Sequence, residues 1–348
     1  MGYARVIERV ADAAFAPALA NLAAARIPGA TLGVVSADGR RATRVAGLAQ
    51  RVPETEDLTP DHWFDLASLT KVIFTTTLIL RLADKGRLDL ERPLTDAIPD
   101  LRQYDVAGAA ERRLTFRDCL AHRTFLPAVE PIYTYGDDPD RLRAFVLQRE
   151  WTHGPPVYSD INFILLGIAA ERLTGGPLDA VPLARGLSWG PPPGPPVATE
   201  RCTWRGRMLK GEVHDENAAA MGGRTGHAGL FGTVAGVLDV AAGLLDGSGA
   251  SWFAIDQIRT PIAGHRTAGW ERRFDGWSGG SACSPETIGH TGFTGTGLWI
   301  DWTRGVAWTL LTNRVHPTRH ADSGIAELRI ATGDALIAAW DASVGGGD

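Results

Sequence analysis

Ala67-Ser68-Leu69-Thr70-Lys71 opens a nearly unbroken apolar run, from Val72-Ile73-Phe74 through Leu78-Ile79-Leu80 to Leu82-Ala83, broken only by Thr75, Thr76, Thr77 and Arg81. That density of apolar residues predicts a buried helix that begins at Ser68 and is capped near Gly86. Residues three apart on a helix share a face, so the Ser68 hydroxyl and the Lys71 amine are expected within hydrogen-bond reach. A lysine in the first turn stands at the positive end of the helix dipole, where Asp or Glu is favoured, and a broken local rule points to chemistry. Desolvation against the apolar helix would favour a neutral amine able to take the hydroxyl proton. The free amides of the same helix end suit an oxyanion. Ser68 and Lys71 therefore read as a candidate activated nucleophile, against the competing reading of Ser68 as an ordinary N-cap.

The composition allows a substantial core and excludes several partners. The 348 residues are 44% hydrophobic, enough for one large or two smaller domains. A net charge of -5 with interspersed signs leaves no footprint for nucleic acid or an anionic membrane. Cys119, Cys202 and Cys283 are widely spaced and form no C-x-x-C, so neither a disulfide framework nor a zinc site is expected. No apolar run reaches the roughly 18 residues of a membrane span. The stretch Met1 to Arg26 carries Arg5, Glu8, Arg9 and Asp12 among alanines and leucines, which suits an amphipathic helix rather than a signal peptide and makes a cytoplasmic protein the expectation.

Sheet is expected at both ends of the chain. After a turn at Pro28-Gly29, Ala30 to Val35 and Ala42 to Ala46 flank Asp38-Gly39 as a hairpin. Gly289 to Thr312 reads as strands, with Leu298-Trp299-Ile300 and Val306 to Leu311 turning at Thr303-Arg304-Gly305. Between them the pattern is helical. Thr115 with Asp118 three residues on is a capped start. Ile161, Ile164, Leu165, Ile168, Ala169 and Leu173 keep a helical period up to Gly175-Gly176. The proline-rich segment from Gly176 to about Thr199 reads as a loop, Val234 to Leu245 and Trp252 to Ile262 as helices, and Ser323 to Trp340 as a last helix before a glycine tail. The glycines of Met221 to Gly232 are followed by no Gly-Lys-Ser/Thr, so a phosphate loop is excluded. The class is α+β: an antiparallel sheet made by both chain ends and covered by helices, with residues 1–66 plus 252–348 forming the sheet region and 67–251 a mainly helical insertion.

Three motifs in order carry a resemblance. Ser68-x-x-Lys71 at a helix start, Tyr158-Ser159-Asp160-Ile161-Asn162 delivered from a loop, and His290-Thr291-Gly292-Phe293-Thr294-Gly295 on a late strand resemble the serine β-lactamase and penicillin-binding-protein superfamily. The likeness is nearest to class C β-lactamases, D-alanyl-D-alanine carboxypeptidases and related esterases, and covers roughly residues 27–340. Gly211 to Asn217 and Gly226 to Phe231 are similar to a branch that includes low-molecular-weight penicillin-binding proteins; His214, Asp215 and His227 in these segments receive no role.

The resemblance implies that Ser68 is acylated, that Lys71 is its proton partner, and that Tyr158 is a general base and later an acid. An ammonium beside the phenol is expected to favour its anion. Asp160 stands where the family commonly has Asn: it can only accept, and reads either as a partner that keeps Lys71 charged or as an N-cap. His290 takes the place of a lysine, so carboxylate recognition is expected to be weaker and pH-dependent. Gly292 would let a substrate backbone approach, and the resemblance makes the Phe293 N–H the second oxyanion donor beside that of Ser68. Thr291 completes the substrate-binding set. His316 and His320 are separated by Pro317 and lack an acidic partner, so neither metal nor cofactor is expected. The expected function is a serine hydrolase working through an acyl-enzyme on a D-alanyl peptide, a β-lactam or a small ester, a small-molecule or peptide substrate in each case. The alternative is a relative that binds penicillin or peptidoglycan fragments without turnover; oligomeric state is left open.

Overall fold

The computed structural model describes residues 4–344; the glycine tail and the first three residues of the expected N-terminal helix lie outside the described residues. The main sheet has seven antiparallel strands in the order 56–57, 41–50, 29–36, 306–312, 296–301, 288–291, 271–272, so the two ends of the chain meet at its centre. Its hairpins are those expected from the sequence, with Thr31 opposite Val45 and Trp299 opposite Trp308. Strand residues alternate between faces. Leu32, Val34, Trp308 and Leu310 pack under the helices Ala4–Ala23 and Ile325–Val344, whereas Val35, Ala307 and Leu311 join the core that holds the helix Val234–Asp246.

The helical middle is less purely helical than the sequence pattern suggests. The segment expected as a proline-rich loop contains a strand, Leu187–Trp189, which pairs with Leu230–Gly232, and that strand pairs in turn with Phe64–Asp65. A second small ribbon joins Ala198–Cys202 to Arg207–Lys210. Strands this short carry too few residues for a period of two to stand out among prolines. Elsewhere the local signals match the elements: Thr115 and Asp118 form a capping box, and Gly175 ends the helix Asp160–Thr174 with φ +79°.

The run after Ser68 is helical and buried, as expected, but its first turns are wide. Lys71–Thr76 is a π-helical segment, followed by the α-helix Thr77–Asp84. Such π turns are rare and cluster at functional sites. This element crosses the helix Asp160–Thr174 close to the loop 225–229. Gly226 fits there because it has no side chain: a Cβ on it would stand 2.0 Å from the Phe163 carbonyl oxygen and 2.8 Å from the Gly167 nitrogen.

Gly226→Ala is therefore expected to overpack this crossing and cost about 1–3 kcal/mol, seen as a lower midpoint in urea unfolding. An unchanged midpoint would show that the helix and loop can part without loss.

Candidate active site

The polypeptide before Ser68 is held from three sides. Asp65, fully buried, accepts hydrogen bonds from the Ala67 N–H (2.8 Å) and the His214 N–H (2.6 Å), while burial pushes its carboxyl above the usual carboxylate range. Ala67 adopts φ +47°, a left-handed backbone that costs a non-glycine residue of order 1 kcal/mol and turns the chain sharply into Ser68. Across the cleft, the Thr294 hydroxyl donates to the Asp65 carbonyl (2.7 Å) and the Thr296 hydroxyl to that of Leu66 (3.0 Å). Gly292 is pressed against the same segment, so that a Cβ would lie 2.6 Å from the Leu66 oxygen. These contacts lock the end of the strand Ile288–Thr291 beside Ser68. Neither the Ser68 nor the Phe293 N–H is used in a hydrogen bond among the described residues, and both residues line one cleft of about 690 Å³.

Lys71 is completely buried, and its ammonium lies 2.9 Å from Ser68 Oγ, 3.2 Å from the His227 carbonyl and 2.8 Å from Asp160 Oδ1. The contact with Asp160 is an ion pair. Burial alone would push the amine down, but the Asp160 carboxylate outweighs it and holds Lys71 above its ordinary range. The neutral amine expected from desolvation is thus corrected: Asp160 keeps it charged. Asp160 opens its helix as the residue after the N-cap, Ser159, so the carboxylate is directed to Lys71 and does not cap.

Tyr158 lines the cleft over this pair, its ring centre 5.1 Å from the ammonium. Here too the electrostatics differ from expectation. Desolvation raises the phenol above 10, and Asp160 adds to it, so that the lowering by Lys71 and by hydrogen bonds with Lys71 and Ser68 does not prevail. The resting phenol is neutral. His122, which no sequence motif marks, packs tilted against Tyr158 with ring centres 4.4 Å apart and accepts the Ser159 N–H at 3.0 Å, fixing the backbone beside the phenol. Burial, with Arg266, Lys71 and His290, keeps His122 uncharged.

His290 lines the cleft on the far side of Tyr158, with ring centres 5.9 Å apart. Its Nδ1 donates to the Thr291 carbonyl (2.9 Å), and burial next to Lys71 pushes it down to about 3. The expectation of a part-time cation at this position is corrected: His290 is neutral wherever the protein is folded near neutral pH. Positive charge comes from elsewhere. The Arg314 Nε donates to the Phe293 carbonyl (2.7 Å), and the Arg329 Nη2 to the carbonyls of Gly292 and Thr296 (2.8 Å each). Both line the cleft, and among the described residues neither forms an ion pair. Desolvation, then repulsion from Arg314, lowers Arg329 to about 9, still charged at pH 7. No sequence motif marks these two arginines; they follow a strand and ride on the last helix.

Asp160, Asp215 and His227 bring one ligand-type atom each within 4.8 Å. The Lys71 ammonium already supplies a cation to Asp160, and the Asp215 carboxylate meets the His227 ring, so the grouping is a charge cluster. Ser68, Lys71, Tyr158, Asp160, His290, Thr291, Gly292 and Phe293 are thus all brought to one cleft or its wall.

The chain matches the family model described as Beta-lactamase over residues 11–332. It is 31% identical to N-acetylmuramyl-L-alanine amidase of Bacillus subtilis, over 84% of this chain and 78% of that protein. It is 28% identical to a putative D-alanyl-D-alanine carboxypeptidase of Escherichia coli strain K12, over 73% and 69%. Among solved structures, a β-lactamase from Sulfitobacter sp. EE-36 superposes with a TM-score of 0.71 at 23% identity, covering 99% and 100% of the two chains, which shows a shared fold.

Since His290 is neutral far below its ordinary value of 6.5, any carboxylate recognition is expected to be flat with pH across about pH 5 to 8, read as KM for an acidic substrate. A KM that climbs through pH 6–7 with the titration of one imidazole would restore the cation role to His290. The depressed value also has a sign for folding: the unfolded chain takes up this proton first, so acid below about 6.5 costs stability until the folded imidazole titrates near 3.

Proposed function

The chain belongs to the β-lactamase family and is a hydrolase, and from that premise we propose that it cleaves an amide or ester carbonyl through an acyl-enzyme on Ser68, with a carboxylate-bearing D-alanyl peptide as the preferred class of substrate. The family acts on small-molecule or peptide substrates, and no helix among the described residues is long and apolar enough to cross a membrane. The observation that carries the reading is the contact of one buried ammonium with both the Ser68 hydroxyl, at 2.9 Å, and the Asp160 carboxylate, at 2.8 Å.

That contact supports a balanced route for protons. As Ser68 Oγ bonds to the carbonyl carbon, its proton moves to Lys71 Nζ and one proton of Nζ moves to Asp160, so the ammonium persists throughout. The oxyanion is received by the N–H groups of Ser68 and Phe293. The neutral Tyr158 phenol gives its proton to the leaving nitrogen or oxygen, and the proton stored on Asp160 returns through Lys71 to the phenolate. Water then attacks the acyl carbon, and the same steps run with Oγ as the leaving group.

The preference for a carboxylate rests on Arg314 and Arg329. Two guanidiniums without carboxylate partners beside one cleft are costly unless an anion meets them there. A simple neutral ester would not need them. Arg314→Met is expected to raise KM for a D-alanyl-D-alanine peptide about 10- to 100-fold while leaving hydrolysis of p-nitrophenyl acetate within about threefold. An equal loss on both substrates would remove the anion role.

Ser68→Ala is expected to lower steady hydrolysis by roughly 10³- to 10⁶-fold. Intact-protein mass after incubation with a fluorophosphonate or a penicillin should show one adduct that maps to Ser68 and is absent from the variant. A stoichiometric adduct that never clears, with no turnover of any ester or peptide, would favour the non-hydrolysing binding protein.

A further inference from the structure

Behind Lys71 lies a second layer of charge. The ammonium donates to the backbone carbonyl of His227 at 3.2 Å, and the ring of that histidine turns back so that Nε2 meets Asp215 Oδ1 at 3.0 Å. Asp215 Oδ1 also accepts the Ala218 N–H at 2.8 Å as the N-cap of the helix Glu216–Ala220. The order is ammonium, carboxylate, carboxylate, imidazole: Lys71, Asp160, Asp215, His227. Two carboxylates with oxygens inside 4.8 Å oppose each other's ionisation, and Lys71 cancels only one of them.

The hydrogen bonds of His227 can accommodate the missing charge. A carboxylate only accepts, so Nε2 carries a hydrogen toward Asp215. Nδ1 faces Thr225 Oγ1 at 2.9 Å, and that hydroxyl can donate instead to the Ala228 carbonyl at 2.9 Å. With the hydroxyl turned to Ala228, Nδ1 donates as well and the ring is an imidazolium. With it turned to Nδ1, the ring is neutral. Neither arrangement leaves a buried polar atom unpaired, so the surroundings of the ring accept a second N–H donor at Nδ1 without an orphaned group. The His227 side chain is 1% exposed, which shields its charge from solvent screening and directs it onto Asp215.

We propose that His227 is a positioning residue that acts through Asp215 to keep Asp160 available as an ionised proton acceptor for the Ser68–Lys71 pair; this rests on the reading of Ser68 as the nucleophile. While His227 is charged, it cancels Asp215, and Asp160 faces only the Lys71 ammonium. Without that charge, Asp215 presses a second negative charge against Asp160 and opposes its ionised form. The other charged and titratable groups around the cluster are Tyr158 over Lys71, Asp65 and His214 on the Asp215 side, and Arg266 and His290 across the cleft. Asp215 is held below the usual carboxylate range despite burial, because His227 and Lys71 both favour its charge.

The test is the pH profile of kcat/KM for p-nitrophenyl acetate on the full chain, from about pH 4 to 9. His227→Gln keeps a donor for Asp215 but no charge, and is expected to move the acid limb upward by about one pH unit, a loss of roughly tenfold at the foot of the limb. Asp215→Asn, which retains the cap for Ala218, is expected to move it downward, and the double variant to return toward the wild-type midpoint. An unmoved limb in His227→Gln, or a double variant that stays where His227→Gln stands, overturns the proposal. Should His227→Gln fail to fold, Asp215→Asn decides alone: a downward shift supports the proposal and an upward one overturns it. Ser68→Ala run alongside keeps the two levels apart, since full activity there would overturn the nucleophile itself and not the role of His227.

Discussion

A fully buried ammonium is the constraint around which this molecule is arranged. Moving a lysine out of water costs several kcal/mol unless a partner charge and hydrogen bonds replace its hydration. Lys71 obtains these from three separate pieces of chain: the Ser68 hydroxyl one turn before it, the Asp160 carboxylate at the start of another helix, and the His227 carbonyl in a glycine-rich loop. Each piece must therefore stay in register with the others for the fold to tolerate the charge. Gly226 and Gly167, which let that loop and that helix touch backbone to backbone, serve the same requirement. Stability and the geometry of the site are one demand here, because the groups that make burial of the charge acceptable are the groups proposed to handle protons.

The sheet supplies the opposite wall through contacts of a different kind. Two threonine hydroxyls, from Thr294 and Thr296, bond to the carbonyls of Asp65 and Leu66, at two and one removes from the strained Ala67. Backbone strain survives only where neighbours over-determine it. The turn after the strand Ile288–Thr291 does so at the residue preceding Ser68, and by the same contacts it carries the Phe293 N–H to the cleft. Arg329 then ties the last helix to this turn through the Gly292 and Thr296 carbonyls, so that the chain terminus takes part in shaping the site.

Much of this was legible before any coordinates. The hairpins at both ends, the capping box at Thr115, the helix closed by Gly175 and the Ser68–Lys71 contact follow from period, turn residues and helical spacing, whereas the approach of Tyr158 to that pair is what the resemblance implies. Short strands such as Leu187–Trp189 did not show, since three residues cannot display alternation. Protonation states were misjudged for a related reason. Sequence gives the neighbours in a motif but not the depth of burial, and depth decides between the charged and neutral forms of Lys71, Tyr158 and His290. Arg314 and Arg329 belong to no motif and come to the cleft only through the fold.

The departures at positions 160 and 290 make physical sense together. Relative to the pattern of the resemblance, Asp160 adds a negative charge and His290 removes a positive one, both at the same cleft. Left alone, those changes would repel an acidic substrate and load the Lys71 environment with excess negative charge. Two features run the other way: Arg314 and Arg329 place unpaired positive charge beside the Gly292–Phe293 turn, and His227 faces Asp215 behind Lys71. The compensation is divided by position. The arginines lie where a substrate anion would enter, and the histidine lies where no substrate reaches. A carboxylate at 160 would then serve the proposed proton chemistry of Ser68 without setting the charge that a ligand meets, because guanidiniums, unlike an imidazole, keep their charge across neutral pH.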